Sequence, residues 1–135
     1  MIDFNQPNPT TLVINGHTIA FQQSIATVVA LHDKVIVLLE SDDFEFGDKL
    51  VGRNLLAYGP DGKLLWRVED HGVTIGARRE DTVTQPDETG RRRIPQTIFH
   101  IFYDEDDGMI TATILSADLT VDPKNGKIVD MEVRR

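Results

Sequence analysis

The sequence contains no cysteine, which excludes disulfides and thiolate chemistry. A cysteine-free chain fits a reducing compartment. The opening stretch MIDFNQPNPTT lacks both the basic and the apolar region of a secretory signal, so a cytoplasmic location is expected. No apolar run is long enough to span a bilayer, and no membrane association is expected. Positive charge is scarce: 14 Lys and Arg stand against 22 Asp and Glu, a formal net charge of −8. That balance argues against nucleic-acid binding, which needs cations to replace phosphate counterions. It fits a protein whose partner, if it has one, is basic. The motifs G-x-S-x-G, Walker A and H-E-x-x-H are all missing. No window holds the three-to-four-residue apolar spacing of a capped helix.

What is present is strand pattern. The 135 residues suit one domain with one core, spanning 1–135. Thr11–Ile14 and His17–Phe21 meet across Asn15-Gly16, a strong hairpin signal because both turn positions need positive φ. Ser24–Leu31 and Val35–Leu39 are apolar at nearly every position and read as central strands covered on both faces. Asn54–Asp70 reads as another hairpin, turning at Gly59-Pro60-Asp61-Gly62. Its return strand places Leu64, the single Trp66 and Val68 on one face. Further strands are expected near Gly72–Gly76, at Gln96–Tyr103 with Phe99, Ile101 and Tyr103 on one face, and at Met109–Leu115. A last hairpin spans Ala117–Val133. Residues 1–10, with Pro7 and Pro9, are expected as a flexible arm. Residues 77–95 alternate blocks of charge and contain Pro86 and Gly90; they are expected as a mobile charged loop.

Two halves share one layout. Ser24–Val68 and Gln96–Val133 each give four strands in succession, and both closing turns end in Gly-Lys: Gly62-Lys63 and Gly126-Lys127. Each half is the size of one propeller blade, and two such units are too few to close a propeller. The fold expected is all-β, with about nine to ten antiparallel strands. Two blade-like four-stranded meanders should pack as a sandwich or flattened barrel, with an open propeller fragment as the alternative. The hairpin GPDGKLLWRV resembles the outer hairpin of quinoprotein-type β-propeller repeats. The chain also resembles small uncharacterised bacterial proteins with an "AYxxDGKLLWxVE" hairpin and a later "DPxTGKI" hairpin. Residues 54–70 and 117–133 carry that likeness. It implies a structural role for these residues and no catalytic site, quinone or other cofactor.

Two functional readings follow. The first is a non-enzymatic, acidic interaction protein that binds another protein, a basic one being one case; an immunity-type protein neutralising a toxin is one concrete form. Its contact residues would be Phe44 and Phe46, ringed by Asp42, Asp43, Glu45 and Asp48, as an apolar anchor with a charged rim. The alternative is an enzyme or small-ligand binder with a site at the mouth of the sandwich or barrel. Its residues would be Tyr58, Trp66, His100 and Tyr103. The four His show no His-x-His spacing, and Asp104–Gly108 lacks EF-hand spacing, so no metal site is expected. His100, sharing a face with Ile98 and Phe102, is expected half-buried and hydrogen-bonded. Arg78, Arg79, Arg91, Arg92 and Arg93 form a basic island whose acidic neighbours Glu80, Asp81, Asp87 and Glu88 can neutralise it.

Overall fold

The computed structural model describes residues 2–40, 52–77 and 92–134, and every regular element among them is a strand. The first sheet is β1 (Phe4–Asn8), β2 (Thr11–Ile14) and β3 (His17–Ala20), in that order. Asn15 and Gly16 take φ of 47° and 83°, the left-handed pair of a type I′ turn. Within the stretch expected from its prolines to be an arm, Phe4–Asn8 forms β1 and pairs antiparallel with β2. The Asn15 side-chain oxygen accepts from the Asp3 amide at 2.9 Å, and the Asn15 amide donates to the Asp3 carbonyl at 2.8 Å. Ile2 is buried and anchors the start of the chain. Pro7 lies within β1, which is an edge strand and so tolerates a missing amide donor.

The second sheet is a meander of β4 (Ile25–Ala30), β5 (Val35–Leu39), β6 (Leu55–Tyr58) and β7 (Leu64–Arg67). A two-stranded ribbon follows, β8 (Thr74–Ala77) with β9 (Arg92–Pro95). The third sheet is a second meander of β10 (His100–Asp104), β11 (Met109–Thr113), β12 (Ala117–Val121) and β13 (Ile128–Val133). The paired four-stranded meanders are those the sequence layout predicts. The expected charged loop differs at its ends: Ala77 and Arg92–Pro95 are paired strand, and 78–91 lie outside the described residues.

Side chains alternate across the second sheet and divide two cores between its faces. Ile36, Leu38, Leu55, Ala57, Trp66 and Val68 join Ile101, Ile110, Ala112, Leu119 and Val121 of the third sheet. Val35, Val37, Leu39, Leu56 and Tyr58 instead join Leu12, Ile14 and the half-buried Ile19 of the first sheet. The second sheet is therefore the middle of three layers, where the sequence predicts two. The extra layer exists because β1 completes a three-stranded sheet around the first hairpin. All of β5 and β6 is buried, as continuous apolar strands require. β4 departs from expectation: it is an edge strand, with three of its six residues half-buried and two exposed.

The layers are pinned at repeated points. Gly62, at φ 77°, lies against His17 of the first sheet, where an added Cβ would come within 2.6 Å of the His17 Cβ. Gly126, at φ 75°, lies in the same way against Trp66 of the middle sheet, 2.5 Å from Cε3. Each Gly-Lys turn thus needs glycine twice over, for its backbone angle and for close approach to the layer before it. Trp66 Nε1 donates to the Pro123 carbonyl at 2.8 Å. Fully buried Asn54 donates to Leu39 O and Ile98 O and accepts from the Ile98 amide, joining the middle layer to the chain entering the third.

Two face assignments are corrected. The β6–β7 register shifts between Ala57 and Tyr58, so Trp66 faces Ala57 while Leu64 faces Tyr58. That bulge puts Leu64 on the opposite face from Trp66 and leaves it exposed. His100 is exposed rather than half-buried. Ile98 precedes the strand and points into the core, so it does not share the period of His100 and Phe102. Phe99 also precedes β10 and is exposed, while Ile101 and Tyr103 do face inward, opposite Ala112 and Ile110.

Candidate functional site

A meander leaves its first strand as an edge. Stacking two meanders sets those edges, β4 and β10, side by side in adjacent layers. No ladder joins them, and an open groove of about 510 Å³ lies between. Val29, Ala30, Leu31 and His32 line it from the middle sheet. Ile101, Phe102, Tyr103 and Glu105 line it from the third. The volume is within the range of ordinary ligand pockets, roughly 300–1,000 Å³.

The groove has an apolar body and an acidic end. Val29, Leu31 and Tyr103 are half-buried against the core below, while Phe102 is 59% exposed at the lip. From Asp104 at the end of β10 the chain turns through Glu105, Asp106 and Asp107. Asp104 accepts the Asp106 amide at 2.9 Å, and Asp107 accepts the Met109 amide at 2.9 Å. Those bonds fix the turn, and Glu105 within it lines the end of the groove. On the opposite wall the Leu31 amide donates to Lys34 O at 2.8 Å, closing the β4–β5 turn. Lys34 pairs with Asp33 at 3.1 Å and holds that carboxyl below its usual range. The cation nearest this wall in sequence is thereby engaged.

The residues expected of a ligand site do not meet. Tyr58 and Trp66 lie in different cores, on opposite faces of the middle sheet. Tyr58 packs edge-on to Phe21, with centroids 5.8 Å apart at 78°, and burial pushes its hydroxyl above the usual range despite the Arg67 charge. His100 is exposed on β10, and Tyr103 alone of the four lines the groove. The proposed anchor Phe44 and Phe46, with Asp42, Asp43, Glu45 and Asp48, lies outside the described residues. His71 is committed to backbone: Nε2 donates to Gln96 O at 2.7 Å, since Nδ1 accepts the Val73 amide at 2.9 Å. Among the described residues no three His, Asp or Glu side chains are arranged to hold a metal ion.

Of the groove residues, sequence reasoning named Tyr103 alone as part of a ligand site. The repeat itself carried the signal, because the first strands of two stacked meanders must both be edges.

Residues 1–80 match a family model described as a domain of unknown function, DUF7957. The chain belongs to the DUF7957 family. No curated protein and no solved structure matches it. The DUF7957 match covers the first two sheets, and so the Val29–His32 wall of the groove. The Ile101–Glu105 wall lies beyond the matched residues.

Proposed function

We propose that this DUF7957 protein acts by binding another protein, a basic one, rather than by catalysis. The observation that carries the reading is the groove between β4 and β10, apolar along its body and acidic where Glu105 and its turn close it. Exposed Phe102 at its lip is the kind of large apolar side chain that binding sites use as an anchor. The net charge of −8 would speed encounter with a cationic partner and repel acidic ones. An immunity-type role against a basic toxin is one form of this reading.

Affinity capture from the native host tests it, with wild type beside a Phe102→Ala/Glu105→Lys double variant. Both positions are exposed, so the fold should survive. A basic protein retained by wild type and lost by the variant supports the proposal. Equal recovery by both, or repeated failure to recover any specific partner, sinks it.

A further inference from the structure

Edge strands are usually guarded against pairing with other chains by bulges, prolines or charges along their length. Among the described residues, four of the six edges in the three packed sheets carry such a break. The pairings of β1, β4, β7 and β13 each contain a register shift, and β1 also holds Pro7. β3 pairs without a shift but is only four residues long and belongs to the first layer. β10 runs in unbroken register with β11 over five residue pairs, His100↔Thr113 to Asp104↔Met109. No proline, lysine or arginine interrupts it, and its one carboxylate stands at the last position. Among the described residues, β10 is thus the longer unguarded edge, and it is one of the two that flank the groove.

We propose that the free edge of β10 takes an extended, basic segment of a partner protein as an added strand. Its apolar side chains would enter the groove, and its cations would lie over Asp104–Asp107. This rests on the protein-binding reading above and names how the partner is held. A strand added to β10 would run about 4.8 Å beyond it, and stacked sheets lie about 10 Å apart. Alternate side chains of such a strand point toward the adjacent layer, where the groove presents Val29 and Leu31, on the same side as the inward-facing Tyr103 of β10 itself. The remaining side chains share the outer face with Phe102, opposite Thr111. Backbone pairing supplies affinity in this mode, and the alternate pockets supply specificity. Charge selects a partner over a second copy. Two molecules of net charge −8, each carrying the 104–107 turn at the same edge, repel one another.

The test uses the full chain and a fluorescent octapeptide of alternating Lys and Val. Two further peptides have alternate amides N-methylated along one edge or the other. Anisotropy gives the affinity, and amide chemical shifts locate the site. The proposal expects shifts centred on Ile101–Tyr103. It expects binding at least about tenfold weaker for one N-methylated peptide than for the other, and a similar loss on Glu105→Lys. Equal binding of all three peptides would mean that side chains alone are held; strand addition then falls while the protein-binding reading stands. Captured partner with no peptide binding would have the same meaning. A dimer of the free chain that the peptide displaces would make a second copy the occupant and overturn the proposal.

Discussion

Trp66 and Gly126 form one contact, with the indole ring resting where a side chain would otherwise be. Truncating Trp66 to Ala removes that packing and the bond to Pro123 O. Unfolding in denaturant should show a loss of about 3–5 kcal/mol. Gly16 and Gly126 offer a cleaner comparison, since both have positive φ but only Gly126 faces a neighbour within 4 Å. Gly16→Ala should cost about 1–2 kcal/mol from backbone strain alone. Gly126→Ala should cost a further ~1–3 kcal/mol, because the indole must shift. Equal costs would show that the Gly126–Trp66 contact yields freely. Tyr58 makes a prediction in pH. Its folded-state pKa is raised above 10.0, so the neutral hydroxyl is favoured in the folded protein. That contribution is fully present below the unfolded-state value and is lost as pH rises past 10.0 toward the folded pKa. Stability measured across this alkaline range should fall, and Tyr58→Phe should flatten the fall.

Hairpins were the most legible part of the chain. Asn15-Gly16 and the two Gly-Lys turns are local chemistry, where left-handed φ leaves little choice of residue, and each strand pair they join was readable. Strand identity was readable too, from β-branched runs such as Val35–Leu39. What the period could not report was a bulge: one extra residue in β7 moved Leu64 to the other face from Trp66. Nor could it show that Ile98 is held by Asn54, 44 positions earlier, through a pair of buried bonds. The groove was hidden for the same reason. Its two walls are about 70 residues apart, and only the stacking of the meanders brings β4 beside β10. The residues expected to bind, Phe44 and Phe46, stand in a segment with no strand pattern to place them.

The middle sheet shares one face with each neighbour, so neither outer layer has a core of its own. Unfolding should therefore be a single cooperative event. Two intrinsic probes sit in different cores: Trp66 between the middle and third layers, Tyr58 between the first and middle. In a Tyr103→Phe variant, where Tyr58 is the one remaining tyrosine, Trp66 fluorescence and near-ultraviolet tyrosine dichroism should give coincident midpoints in urea, and separated midpoints would show that the layers melt independently. The same sharing sets a timetable for synthesis. When the ribosome has delivered Val68, the face bearing Ile36, Leu38, Leu55 and Trp66 has no cover, because its partners run from Ile98 to Val121. Translation at roughly 5–20 residues per second leaves that surface bare for about 3–10 seconds. A nascent chain of this design carries a sticky, half-finished sheet through that interval, and its yield in a cell will depend on how crowded and how well chaperoned the exit tunnel is.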